Sequence, residues 1–329
     1  MFWGGTSLEA KAPELFFASR GEGDDSWSVS RAPFFGADMG RVRHIAVATS
    51  RDMMAILFQR EGNQGHGAME IMLSISSDMG YGFSAPFLLD SYVLGEGNGA
   101  GSWVTLAARQ GRLRPEFAAA WVAEGGTLRA SSVDSRSDSR AQAETVGRLT
   151  DLKGRAEMLS AGGDGFFLVW PEAVGGLKTA RIKPLIGGTE KALSVAPGEY
   201  SKNFSVAYLY RGPGALVATT ESGDTQSFIT DEERFKPLHA SLKEAQATRN
   251  LESRSCMDDK KRVHRVTLNP ANNKLFYTRL EDGKWSAPEL ISQLAPDVVS
   301  TGFDIAATGD YLWVVSGQSQ IVQIKRKKQ

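Results

Sequence analysis

The hexapeptide Phe83-Ser84-Ala85-Pro86-Phe87-Leu88 recurs about 200 residues downstream as Trp285-Ser286-Ala287-Pro288-Glu289-Leu290. Each copy closes the same kind of passage. An apolar stretch (IMLSIS at 71–76, LFYTR at 275–279) runs into a polar turn holding Asp and Gly, and the aromatic residue opens the return. Short apolar runs on either side of such a turn read as a β-hairpin. A looser third version stands near the start, with LFFASR at 15–20, the polar GEGDDS at 21–26, Trp27-Ser28, and then Ala32-Pro33-Phe34-Phe35. Hairpins that repeat across a chain point to an array of like units, and this constrains the fold more than any other feature.

Further apolar pairs lie between the copies: 43–49 with 53–59, 102–108 with 117–123, 155–161 with 166–170, 204–210 with 215–220, and 262–268 with 274–280. Thirty-five glycines punctuate these runs, as tight turns require. Each unit spans roughly 40 to 60 residues, the size of a four-stranded propeller blade. The expected fold is therefore all-β: a single six-bladed β-propeller over residues 1–329, with seven blades as the alternative. Strands near the two termini are expected to share the closing blade, which leaves no exposed edge. Two stretches depart from the pattern. Residues 134–154 are polar and mixed in charge, and read as an edge strand with a solvated loop. Within 231–261, Leu238, Leu242 and Ala245 follow Pro237 at helical spacing, which predicts a short helical insertion.

The turn of the first copy has the form Ser76-x-Asp78-x-Gly80-x-x-Phe83. It resembles the Asp-box of the sialidase (BNR-repeat) superfamily of β-propellers. Its physics is local: the carboxylate accepts backbone N–H groups, Gly takes a positive φ, and the aromatic ring packs back over the hairpin. The resemblance implies a possible glycosidase site in which arginines clamp a sialic-acid carboxylate and a tyrosine nucleophile works with a glutamate, a departure from paired-carboxylate glycosidases. Arg43, in Arg43-His44-Ile45 just before the first hairpin, matches a clamp position, although the family's proline is missing and Arg31-Ala32-Pro33 competes. Tyr200 beside Glu199 is the candidate nucleophile pair. Asp90 and Glu96 are the carboxylates where the acid/base would stand, but neither has matching neighbours, so the catalytic set is incomplete. The 274–285 hairpin also looks like a repeat of the fucose-lectin propellers, which makes Tyr277 and Trp285 candidate sugar-stacking residues beside Arg43 and His66. Blade packing is the competing role for those aromatics.

Other chemistries find less support. His44, His66, His239 and His264 lack metal-ligand spacing, and no metal or other cofactor is implied. Lys+Arg and Asp+Glu both number 38, which argues against a dedicated nucleic-acid binder. The glycine-rich 95–101 run leads into a strand, not into the helix a phosphate cradle needs. Cys256 is alone, so no internal disulfide forms. No apolar run is long enough for a membrane helix, and the first residues do not read as a signal peptide. The basic 325–328 end reads as solvated. The residues together predict a non-catalytic binding or assembly module presenting loops to a protein or glycan partner, with a sialidase-like glycoside hydrolase or a sugar-binding lectin propeller as alternatives.

Overall fold

The computed structural model describes residues 2–5, 14–19, 26–31, 42–62, 67–78, 80–93, 103–111, 114–135, 142–150, 155–160, 165–171, 176–183, 188–196, 200–209, 212–220, 224–230, 235–243, 252–269, 272–293, 300–308, 311–318 and 321–328. Among these residues there are seven antiparallel sheets, one 3₁₀ turn at Glu124–Gly126 and no α-helix. The chain divides into two compact units.

The first unit comprises Met1–Met158, Asp164–Trp170 and Thr179–Leu193. It holds a three-stranded sheet, β1 (Phe2–Gly5), β2 (Glu14–Ser19) and β3 (Ser28–Arg31). Two four-stranded meanders follow. One is β4 (Val42–Ser50), β5 (Met53–Glu61), β6 (Ala68–Ser76) and β7 (Phe87–Val93). The other is β8 (Val104–Gln110), β9 (Pro115–Val122), β10 (Thr127–Asp134) and β11 (Glu144–Arg148). Ala55, Leu57, Ile71 and Leu73 on one face of the β4–β7 sheet pack with Leu106, Phe117, Ala119 and Trp121. On its opposite face Ile56, Phe58 and Met72 pack together, with Phe83 laid against them. A strand buried on both faces reads as a continuous apolar run, and this accounts for the unbroken AILF of β5. Gly147 on β11 permits a close approach: a Cβ there would lie 2.7 Å from the Trp170 ring.

A further sheet, β12 (Glu157–Ser160), β13 (Phe166–Pro171), β14 (Leu177–Lys183) and β15 (Gly188–Ala196), contributes residues to both units. The second unit comprises Leu159–Gly163, Pro171–Lys178 and Ser194–Gln329. Its first sheet is β16 (Tyr200–Tyr208), β17 (Gly214–Thr220), β18 (Asp224–Thr230) and β19 (Phe235–Lys243). Next come β20 (Glu252–Met257), β21 (Val263–Asn269) and β22 (Lys274–Glu281), with β23 (Lys284–Trp285) and β24 (Glu289–Gln293) both pairing with β22. Last is the three-stranded β25 (Ser300–Thr308), β26 (Tyr311–Gln318) and β27 (Ile321–Lys328). Val266, Leu275 and Tyr277 pack with Phe303, Ile305 and Leu312, while Met257, Val263 and Leu280 pack with Ala207, Ala215 and Val217. The β20–β24 sheet is thus buried on both faces.

Among the described residues of 231–261 the expected helical insertion is not found. Residues 235–243 form β19 and 252–257 form β20. Pro237 is tolerated because β19 is an edge strand, where a missing N–H breaks no ladder on the open side. Ala245 lies outside the described residues.

The repeated hexapeptide is one construction made twice. The Ser84 N–H donates to Ile75 O at 2.8 Å, and its Oγ accepts from the Ile75 N–H at 3.1 Å. The Ser286 N–H donates to Arg279 O at 2.8 Å, and its Oγ accepts from the Arg279 N–H at 3.0 Å. In each copy the serine hydroxyl stands in for a ladder carbonyl just before the proline interrupts the strand. Pairing then resumes in matching register. Leu73 and Met72 face Phe87 and Leu88, as Tyr277 and Phe276 face Glu289 and Leu290, and both ladders shift register at the next step. Only the tips differ. The second copy turns on Asp282 (φ 50) and Gly283 (φ 71), a two-residue loop whose positive φ values match strand twist, and the first uses a longer turn.

Candidate functional site

The Ser76–Phe83 turn is braced from within. Ser76 Oγ donates to Asp78 Oδ1 at 2.7 Å and accepts from the Gly80 N–H at 2.8 Å, and Asp78 Oδ1 accepts from the Gly82 N–H at 2.8 Å. The Ser76 hydroxyl and then the Gly82 N–H hold the Asp78 carboxyl below its ordinary pKa. Gly80 takes φ 94, which a side chain would strain. These hydrogen bonds all close within the turn itself.

Arg43 lies at a register shift on β4, and its Nε and Nη2 donate to Glu61 Oε1 at 3.0 and 2.6 Å. Both side chains are about one-third exposed, with 32% and 39% accessible. Burial, and then the Arg43 charge, lower the pKa of the neighbouring His44. Asp90 accepts from Trp121 Nε1 at 2.8 Å and from Arg129 Nη1 at 2.6 Å, which occupies it structurally. Tyr200 begins β16, whereas Glu199, His66 and Glu96 lie outside the described residues.

Tyr277 and Trp285 are not brought together. Tyr277 belongs to the face of the β20–β24 sheet that packs on β25 and β26, and Trp285 packs with Leu280 and Val263 on the other face. The Tyr277 ring is 6% exposed and its phenol is pushed up to about 12 by burial.

At the polar end of the Tyr277 face the structure assembles a chain of groups from three strand ends. The Tyr277 hydroxyl is 2.8 Å from His264 Nδ1, and His264 Nε2 is 3.1 Å from Asp258 Oδ2. Asp258 also accepts from the Arg262 N–H at 2.8 Å and from Arg262 Nε at 2.5 Å. Arg262 Nη1 lies 3.7 Å from Glu281 Oε1, and Arg279 Nη2 lies 2.8 Å from Glu281 Oε2. Accessibility rises steadily outward. His264 is fully buried and Asp258 nearly so, Arg262 is 12% exposed, and Arg279 and Glu281 reach 33% and 39%. Burial lowers the His264 pKa more than the Asp258 contact raises it. Burial alone would raise the Asp258 carboxyl, but hydrogen bonds from His264 and Arg262 outweigh it and hold the group ionised. A neutral His264 can then donate from Nε2 to the carboxylate and accept the phenolic proton at Nδ1. Sequence spacing gave no sign of this network. Its outer end, Arg279 beside Glu281, sets donors next to an acceptor at the surface, so one hydroxyl can accept from the guanidinium and donate to the carboxylate.

No family model matches the chain, and no curated protein matches it in sequence. Solved structures do. A fucose-specific lectin from Aleuria aurantia is similar at TM-score 0.54 and 10% identity over 88% of this chain and 91% of that one. A further structure of the Aleuria aurantia lectin, described as a six-bladed β-propeller with a novel fucose recognition mode, matches at TM-score 0.54 and 8% identity, covering 88% and 91%. The fold is a β-propeller. NanB sialidase from Streptococcus pneumoniae has the same likeness at TM-score 0.52 and 9% identity, covering 90% of this chain and 70% of the enzyme.

Proposed function

We propose that this propeller is a non-catalytic carbohydrate-binding module and that the Arg279–Glu281 pair forms part of its ligand contact. The observation that carries the proposal is that lectin propellers, several of them fucose-binding, predominate among the structural neighbours. The paired guanidinium and carboxylate supply the complementary donors and acceptors that a sugar's vicinal hydroxyls use. Tyr277, His264 and Asp258 then hold the pair from below, and Trp285 serves packing. We read the Ser76–Phe83 turn as an Asp-box. We keep six blades, with seven as the alternative; the six-bladed description of the similar Aleuria aurantia lectin supports that count. The hydrolase alternative has less support, because lectins stand ahead of the sialidase among the structural neighbours.

The test is a glycan array probed with the full chain, followed by titration of the strongest glycan and of α-methyl fucoside. Arg279→Ala and Glu281→Ala are each expected to weaken binding at least about tenfold, the loss of one charge-assisted hydrogen bond. An array without signal overturns the proposal. Turnover of a fluorogenic sialoside that disappears in Arg43→Ala replaces it with the hydrolase reading.

A further inference from the structure

The buried network behind Arg279 and Glu281 turns on a single oxygen. Asp258 Oδ2 accepts from His264 Nε2 at 3.1 Å and also from Arg262 Nε at 2.5 Å, while Oδ1 takes the Arg262 N–H. With His264 neutral, the guanidinium makes the stronger, charge-assisted bond and is drawn inward. Its Nη1 then stands 3.7 Å from Glu281 Oε1, beyond hydrogen-bond length. Glu281 Oε2 holds Arg279, so Oε1 is the acceptor left for a ligand hydroxyl. Protonation of His264 would set a second cation on Asp258 Oδ2, where burial strengthens the repulsion between imidazolium and guanidinium. His264 cannot retreat, because it is fully buried and its new Nδ1–H needs the Tyr277 oxygen as acceptor. Arg262 is the more exposed of the two cations, with Glu281 beside it. The other groups about His264 do not change this balance. Cys256 and Arg279 flank it in the ladder, and burial keeps the Cys256 thiol and the Tyr277 phenol protonated. Glu289 on β24 acts on Tyr277 and Asp304 on β25 acts on Cys256, while Arg254 lies over the Phe303 ring. The residues that β25 and β26 pack on this face are apolar, and Asp259, Lys260 and Lys261 in the connecting turn are exposed. Asp258 thus favours the protonated ring, and Arg262 and Arg279 oppose it.

We propose that His264 is an acid-sensing positioning residue for the ligand contact: its protonation expels Arg262 from Asp258 onto Glu281, where the guanidinium takes the oxygen a ligand hydroxyl would use. The contact is open at neutral pH and closes in acid. This inference rests on the carbohydrate reading of the Arg279–Glu281 pair. Burial lowers the His264 pKa from its ordinary 6.5, so the change falls on the acid side of that value. The coupling is reciprocal. A ligand that prefers the neutral ring must itself make His264 harder to protonate.

The test titrates the full chain with α-methyl fucoside and with the strongest neutral glycan of the array, neither of which ionises, by calorimetry from about pH 7.5 to about pH 5. Affinity should fall at least about tenfold across this range, the worth of one hydrogen bond to a charged group. Saturating ligand should in turn lower the midpoint of the His264 titration, followed by NMR of its ring nitrogens, by about one pH unit. His264→Gln should flatten the pH profile whatever its affinity at neutral pH, which a merely structural role would not do. In the ligand-free chain the Arg262 Nε–H signal should move with the His264 midpoint, and this measurement needs no altered protein. Glycan binding of constant affinity over the range overturns the proposal and leaves the carbohydrate reading standing. An Arg262 signal indifferent to His264 also overturns it, as does a His264 ring that stays neutral until the chain unfolds. Absence of glycan binding at every pH overturns the carbohydrate reading, and the Arg262 signal then decides the switch by itself.

Discussion

Replacing Asp258 tests whether the buried network is held by its carboxylate. That side chain is 2% exposed and accepts from the Arg262 N–H, Arg262 Nε and His264 Nε2. In Asp258→Ala an interior imidazole N–H and a mostly buried guanidinium lose their common acceptor. Removing one partner of a buried ion pair costs about 3–5 kcal/mol. Glu281, 3.7 Å from Arg262 Nη1, retains part of the compensation, which places the cost near the lower end, about 3 kcal/mol. Unfolding entropy of about 2.1 cal/mol/K per residue gives the 329-residue chain ~0.7 kcal/mol/K, so the melting midpoint should fall by about 4 °C. If the second unit melts by itself the fall is larger, because fewer residues share the transition. Differential scanning calorimetry at neutral pH measures it, with Asp258→Asn expected to lose roughly half as much because an amide oxygen still accepts. An Asp258→Ala midpoint within about 1 °C of the parent would refute the reasoning.

Two further outcomes follow from the same structure. His264 and Asp258 both have folded-state pKa values below their unfolded ones, so both favour the folded state at neutral pH and withdraw that support in acid. The His264 contribution is complete above its unfolded value of about 6.5 and is lost as pH falls below it, and the Asp258 contribution goes below about 4. His44 acts in the same direction, so the quantity to measure is the difference in melting midpoint between the parent and His264→Gln from pH 7.5 to 5, which should narrow as pH falls. Ser84→Ala and Ser286→Ala should each cost about 1 kcal/mol, with similar losses from two distant hairpins, as measured by urea unfolding. A loss at only one of them would show that the two serines do not do the same job.

The hairpins were readable because turn chemistry and apolar patterning are local. Asp282-Gly283 between two apolar runs specifies its own loop, and Ser76, Asp78 and Gly80 bond within one turn. The helix expected near Pro237 failed for a physical reason. Leu238 and Leu242 are four apart, a spacing that keeps two residues on one face of a helix and also on one face of a strand. The network around His264 was hidden because it depends on ladder register. The pairing sets Cys256 and Arg279 on either side of His264, and no spacing in the chain announces that Tyr277 will come within reach of it. The separation of Tyr277 from Trp285 is of the same kind: their positions along the chain suit one aromatic site, and the alternation of the pleat puts them on opposite faces.

The serine that completes each ladder has an evolutionary corollary. Ser84 and Ser286 fix where the return strand re-engages, and everything between the two hydrogen-bonded positions lies outside that lock. One copy spans the gap with a two-residue turn and the other with a longer one, yet the strands beyond resume in the same register. The tips are therefore free to lengthen, shorten or change composition without moving the sheet. Such a hairpin insulates a frame from its ornament, and new recognition loops can be tried at its tip while the propeller behind them stays as it was.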